Sequence, residues 1–357
     1  MLRGQSIAVI GVRRIGKTSV LLKTLKLTSG PRVYVSAEGY VEGKSFDLSS
    51  FVAYYSSLVI SQALSRLEPK RRFPLTLKER SRELLRTLRD LLAYLKVTLD
   101  VNPVSIEFYF ENKRRLGEAL REVFELPQLL AQKIGSNFTI AIDESQYLKL
   151  AEQNHPGLFH PLRDTWQFQR NVTYLISGSS VGLLNHMIGS GDQPFYGFFY
   201  PVQLRSFSRE TSLRFLGEGL REEGVTYECG ALEEAVNQLD GIPAWLNLFG
   251  LKVRGLRHLD RRGAQRILGQ MVRDPSVESL VLQEYSKLSK NSKAVLRHLV
   301  ESGGAISGIT LGRPSTTEGL RTLLQGGFIE RLGRGRYRVV DPMVLRVLGG
   351  HVSGSEL

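Results

Sequence analysis

The stretch "VIGVRRIGKTSVLL", residues 9–22, decides the fold. Ahead of it, "SIAVIG" at 6–11 is β-branched and apolar, the composition of a buried strand. Behind it, "KTSVLLKTLKL" has helical spacing and is expected to bury Val20, Leu21 and Leu25. Gly11, Gly16, Lys17 and Thr18 satisfy G-x-x-x-x-G-K-[ST] between a strand and a helix, the context that marks a phosphate-binding loop. Glycines let the backbone wrap closely around phosphates with successive N–H groups pointing inward, and the new helix adds its positive end. Residues Gly11, Val12, Arg13, Arg14, Ile15 and Gly16, continuing through Lys17, Thr18 and Ser19, are therefore expected to cradle ATP or ADP. Lys17 would neutralise β- and γ-phosphate charge, and the Thr18 hydroxyl would ligate Mg²⁺.

A second stretch, "FTIAIDESQYL" at 138–148, supplies what such a loop lacks. A buried strand ending in Asp143-Glu144 places one carboxylate for Mg²⁺ and a second, Glu144, to act as general base on water. An acid pair after an apolar run is common in loops; the glycine loop gives this one its meaning. A carboxylate beside the metal ligand suits hydrolysis. "YLISGSSVGLL" at 174–184 ends another strand, where Ser177 or Ser179 would meet the γ-phosphate or position water, or else simply cap the next helix. The same residues read as G-x-S-x-G, with Ser180 as the nucleophile of a serine hydrolase. Asp240 or Asp260 with His258 or His298 would complete that rival site, which leaves the glycine loop and the acidic strand unexplained.

Five strand-like segments, 6–11, 32–37, 138–143, 172–177 and 200–206, alternate with helical stretches, an α/β pattern with a mostly parallel sheet. Residues 1–206 form the expected nucleotide-binding domain, with a mainly helical insertion at about 40–135 that holds the basic stretch 78–95 and a short hairpin at 96–110. Helices dominate 207–275, and a different pattern follows over 276–357. No run of about 18 apolar residues exists for a membrane span. The first strand begins almost at once, so no signal or transit peptide is expected. The single cysteine, Cys229, excludes an internal disulfide and suits the cytoplasm, and the six histidines form no zinc-type cluster.

The net charge of +13 is uneven: residues 287–346 carry 11 basic against 4 acidic side chains. That excess points to a polyanionic partner or to a merely solvated basic surface. "SKNSKAVLRHLVESGG" and "RPSTTEGLRTLLQGG" read as helices, and "FIERLGRGRYRVVDP" as two strands joined by Gly-Arg-Gly. Helix, helix and ribbon is a winged-helix order. Against DNA, Thr316, Thr317 and Arg321 would lie on the recognition helix and Arg334 and Arg336 on the wing. The alternative is a winged helix used for protein contacts.

Taken in order, "GVRRIGKTSVLL", "IAIDESQYL", "YLISGSSVGLL", "PFYGFFYPVQLRSFSRE", "DGIPAWLNLFG" and "GRYRVVDPMVLRVL" resemble the archaeal ATPase family of P-loop proteins, a branch near AAA+ and the STAND signalling ATPases. The resemblance implies an ASCE-type sheet of strand order 5-1-4-3-2, a helical lid at 207–275 and a C-terminal winged helix. It implies too that Gly241 and Pro243 approach the adenine; without it, Pro243 is an ordinary first-turn proline. Arg13 and Arg14 match the paired arginines of the family loop and are expected to face solvent. Two features depart from the family: only "MLRGQ" precedes the first strand, and Phe198 stands where many members have an arginine, a charge that Arg205 would have to supply. The expected protein is a slowly hydrolysing Mg²⁺-ATP switch with a possible DNA, protein or self-association partner; a non-hydrolysing nucleotide-binding regulator is the alternative.

Overall fold

The computed structural model describes residues 4–67, 89–93, 116–302, 305–307, 314–333 and 335–353. The chain divides into two compact units. The first holds Met1–Ile10, Lys17–Gly178 and Leu183–Gln203; the second holds Gly11–Gly16, Ser179–Gly182 and Leu204–Leu357.

Five strands build the central sheet of the first unit: β1 (Ile7–Ile10), β2 (Arg32–Ser36), β3 (Phe138–Asp143), β4 (Val172–Gly178) and β5 (Tyr200–Gln203). They lie parallel in the order β2-β3-β4-β1-β5. All six residues of β3 are buried, which is why its sequence is a continuous apolar run broken only by Thr139 and ended by Asp143. Helices α1 (Lys17–Leu27), α2 (Leu48–Leu67) and α3 (Leu116–Ile134) pack on the sheet or on each other. Tyr55 meets Phe124 at 5.3 Å, Phe124 meets Trp166 at 5.9 Å, and Trp166 stacks on Tyr174 at 4.1 Å, so helices and strands share one aromatic core.

One expectation for α1 fails. Lys17, Leu21 and Leu25 form its buried stripe, whereas Val20 is 40% exposed. Steps of four keep one face inward, and Val20 lies about 100° around the helix from Leu21. Of the expected insertion, α2 and α3 are helical; the hairpin at 96–110 and most of the basic stretch 78–95 lie outside the described residues.

In the second unit, α4 (Arg209–Glu222), α5 (Cys229–Leu239), α6 (Pro243–Val253), α7 (Arg261–Val272) and α8 (Pro275–Ser286) follow one another. Their starts are chemically explicit: Ser208, Asp260 and Asp274 accept backbone N–H bonds from Thr211, Gly263 and Ser276, and Pro243 and Pro275 open α6 and α8. Then come α9 (Lys290–Glu301), β6 (Ala305–Ser307), α10 (Pro314–Gln325), β7 (Ile329–Gly333), β8 (Arg336–Val339) and α11 (Pro342–Ser353). The last three strands pair antiparallel in the order β6-β8-β7. Residues 207–275 and 276–357, expected as separate domains, contribute to one buried cluster that runs from Leu216 to Leu348.

Candidate nucleotide site

In the first unit the ends of β3 and β4 converge with the start of α1. Asp143, 2% exposed at the tip of β3, accepts a hydrogen bond from the Thr18 hydroxyl at 2.6 Å on Oδ2. Tyr34 donates to the same oxygen at 2.9 Å. Oδ1 accepts from the Ser177 hydroxyl and, at 3.0 Å, from the Glu144 backbone N–H. The register explains the convergence: Ser36 pairs with Asp143, and Val9 pairs with Ser177, so neighbouring parallel strands end together.

Glu144 has φ 51°, a left-handed conformation rare outside glycine, and this turns the chain sharply after the strand. Its carboxylate lies 3.9 Å from the Lys17 ammonium, which is itself 5% exposed, and it accepts a hydrogen bond from the Gln146 amide. Gln146 also dictates Gly178: a Cβ there would stand 2.3 Å from the Gln146 Oε1. Burial, reinforced by the charge of Asp143, pushes the Tyr34 hydroxyl upward and keeps it protonated as a donor. Tyr34 and Gln146 contact the acidic pair of this candidate site, and motif reading passes over both. Tyr34 was readable only with the strand order in hand, which puts β2 beside the acidic strand; Gln146 stood in plain view two residues after Glu144.

The loop itself, Gly11–Gly16, clusters with the second unit. Gly16 has φ +92° with nothing within 4 Å of a notional Cβ, so the space at this turn is open. Gly11 is the reverse case, where a Cβ would meet the Leu204 carbonyl at 2.8 Å. The two arginines correct an expectation, because they do not face solvent. Arg14, 9% exposed, donates from Nη1 to Asp341 Oδ2 at 2.7 Å and from Nη2 to Glu284 Oε1 at 2.9 Å. Its guanidinium sits 4.9 Å from the centre of the Trp245 ring, and its carbonyl accepts from the Ala244 N–H at 3.3 Å. Arg13 donates to the Gly326 carbonyl at 2.7 Å and lies over the Phe328 ring at 4.7 Å. Desolvated carboxylates near the loop attract these cations more strongly than water does, which is why they turn inward.

Other sequence candidates are dispersed. Ser179 is buried, and its carbonyl lies 3.1 Å from where a Gly327 Cβ would stand. Gly241, with φ +66°, accepts at its carbonyl from the Phe207 N–H at 2.9 Å, and Pro243 opens α6. Phe198 packs edge-on against Phe199 at 4.7 Å with the Arg163 guanidinium 4.7 Å over its ring, so an aromatic cluster occupies that position; Arg205 is exposed. Among the described residues no hydrogen bond joins Ser180 to a histidine: His258 bonds Thr226, and Asp260 caps α7. Thr317, Arg321 and Arg336 are exposed, Thr316 is partly so, and Arg334 lies outside the described residues.

No protein-family model matches the chain, and no curated protein matches it either. Solved structures do. The chain is similar to the Walker-type ATPase PABY2304 of Pyrococcus abyssi, with TM-score 0.67 and 24% identity over 96% of this chain and 90% of that one. It is also similar to the Aeropyrum pernix ORC2 protein in its ADPNP–ADP complexes, with TM-score 0.53 and 16% identity over 98% and 87%. The likeness read from the motifs is thus met at the level of the fold, an α/β fold with a parallel central sheet. No helix among the described residues is long and apolar enough to cross a membrane.

Proposed function

We propose that this chain is an archaeal-type P-loop ATPase that binds Mg²⁺-ATP and hydrolyses it slowly, as a nucleotide-dependent switch. The observation that carries the proposal is the 2.6 Å bond between Thr18 and Asp143, with Lys17 beside Glu144. These residues fit a magnesium nucleotide: one hydroxyl and one carboxylate are hard oxygen donors of the kind Mg²⁺ takes in small number, leaving its other positions to phosphate and water. The open turn at Gly16 suits an entering phosphate.

In this reading Thr18 and Asp143 hold the metal, which when bound supplies positive charge against the phosphates. Lys17 exchanges its contact with Glu144 for the β- and γ-phosphates. Glu144, released from that ammonium, orients water and takes its proton at the carboxylate. Tyr34 and Ser177 keep the Asp143 oxygens oriented, while Ser179 stands as a γ-phosphate or water-positioning hydroxyl. Gly241 and Pro243 contribute to the adenine side. Residues 207–275 act as a lid and 276–357 as a winged helix, with α10 as recognition helix and the β7–β8 ribbon as wing. The ADPNP–ADP complexes of the similar ORC2 protein and the Walker-type ATPase neighbour support nucleotide use.

Calorimetry with Mg²⁺-ATP and single-turnover phosphate release test this. Lys17→Ala should lose binding, and Glu144→Gln should bind while releasing phosphate at least about a hundredfold more slowly. A Glu144→Gln protein as fast as wild type would sink the mechanism; a wild type that binds ATP and releases none would leave the non-hydrolysing regulator. The uneven positive charge favours duplex DNA as a further partner, whose affinity should fall steeply between low and moderate salt.

A further inference from the structure

Two arginines inside a glycine-bounded phosphate loop need a reason, and their surroundings provide one. Arg14 lies within a closed set of partners drawn from three helices of the second unit. Glu284 comes from the last turn of α8, Trp245 from the first turn of α6, and Asp341 from the N-terminal edge of α11. The space left beside it is about 10 Å³, enough for one water and far too little for a phosphate. Arg14 is therefore no phosphate ligand through its side chain.

Asp341 is the busiest of these partners. Its Oδ2 holds Arg14, while its Oδ1 accepts from the Trp245 indole N–H at 2.8 Å and from the backbone N–H groups of Met343 at 2.8 Å and Val344 at 3.4 Å. One carboxylate thus ties the phosphate loop, the start of α6 and the first turn of α11. Glu284 serves both arginines, Arg14 at 2.9 Å and Arg13 at 3.6 Å. Arg14 also carries φ +65°, a backbone that L-residues adopt only when their surroundings impose it. Gly16, two residues on, has φ +92°, and Lys17 is next in the chain. The conformation that aims the loop N–H groups is in this way held from outside the loop.

We propose that Glu284 and Asp341 are positioning residues for the phosphate loop: by gripping Arg14 and Arg13 they hold Gly11–Gly16 in its phosphate-accepting shape and link nucleotide affinity to the ordering of α11. The proposal rests on the nucleotide reading above and specifies how that site is regulated. Linkage makes the effect reciprocal. Whatever factor the clamp adds to nucleotide affinity, bound nucleotide returns to the clamp, and so to the first turn of α11. An event that pulls Asp341 away, such as a partner engaging the C-terminal helices, would lower nucleotide affinity by the same factor.

The test uses the full chain with Mg²⁺-ATP. Asp341→Asn keeps the side-chain shape but loses the charge opposite Arg14, and Glu284→Gln does the same at the other carboxylate. Each should weaken ATP binding about tenfold, or 1.4 kcal/mol. Arg14→Gln should do likewise, and the Arg14→Gln/Asp341→Asn double variant should lose little more than either single one, since both break the same contact. Amide exchange at Met343 and Val344 in the wild type should slow about tenfold with ATP, and this slowing should vanish in Lys17→Ala, a readout that general destabilisation does not produce. If the wild type binds ATP and Lys17→Ala does not, yet the carboxylate variants bind normally or the exchange ignores ATP, the clamp proposal fails alone. A wild type that binds no ATP overturns the nucleotide reading itself.

Discussion

Replacing Tyr34 by Phe removes one hydroxyl and nothing else, which makes it the sharpest probe of the acidic strand tip. Asp143 is buried and accepts four hydrogen bonds, from Thr18, Tyr34, Ser177 and the Glu144 N–H. A hydrogen bond to a charged acceptor contributes about 1.5–3 kcal/mol when its loss leaves the acceptor bare. Here three donors remain, and Tyr34 is only partly buried, so water can reach the position it leaves. About 1 kcal/mol is therefore expected, below that range and typical of a hydrogen bond whose loss is partly made good. For a unit of this size that lowers the unfolding midpoint by about 2–4 °C. The functional effect should be larger. A group that orients a metal-binding carboxylate commonly changes metal affinity by about 10–100-fold. The Mg²⁺ concentration needed for half-maximal ATP turnover should therefore rise about tenfold in Tyr34→Phe, with little change in Mg²⁺-independent nucleotide binding. Thermal unfolding and a Mg²⁺ titration of phosphate release check both numbers. An unchanged midpoint together with an unchanged Mg²⁺ requirement would refute the assignment of Asp143 as a metal ligand oriented by Tyr34.

Two further outcomes concern stability. Gly241→Ala forces a left-handed φ of +66° on alanine and drives its Cβ to 2.2 Å from the Phe207 carbonyl, so a loss of about 2–5 kcal/mol is expected in urea unfolding. Gly250→Ala, inside α6 with nothing within 4 Å, should instead gain about 0.5–1 kcal/mol; equal effects at the two sites would mean the turn at Gly241 is not the constraint described. Glu284 gives a pH dependence. Burial raises its carboxyl, although the Arg14 and Arg13 cations pull it down and Asp341 pushes it up. A raised folded value means the folded state takes the proton first, so wild type should gain stability as pH falls from that raised value towards the ordinary glutamate range. Glu284→Gln should lack this component, and parallel stability–pH curves for the two proteins would contradict it.

What was legible in the sequence follows the range of the interactions concerned. β1, the loop glycines, Lys17, Thr18 and the Asp143-Glu144 tip are set by neighbours in the chain: a buried strand must be apolar, and a phosphate-wrapping turn must be glycine. The helix starts at Ser208, Asp260 and Asp274 were likewise written locally, and α8 was available from its Asp274-Pro275 entry. What escaped is non-local. Val20 looked buried because "SVLL" is apolar throughout, and only the phase fixed by Lys17 and the sheet separates it from Leu21. Tyr34 reaches Asp143 across more than a hundred residues of chain, and Arg14 reaches Asp341 across more than three hundred. No local pattern encodes such a meeting, because either arginine alone is as consistent with solvent as with a buried carboxylate. A pair of cations next to phosphate-binding glycines should be treated as unassigned until its counter-ions are found, since a loop that wraps anions has no electrostatic need to turn two arginines away from them. Here they turn because Glu284 and Asp341 are largely buried in the second unit, and a buried carboxylate left without its cation is strongly destabilising.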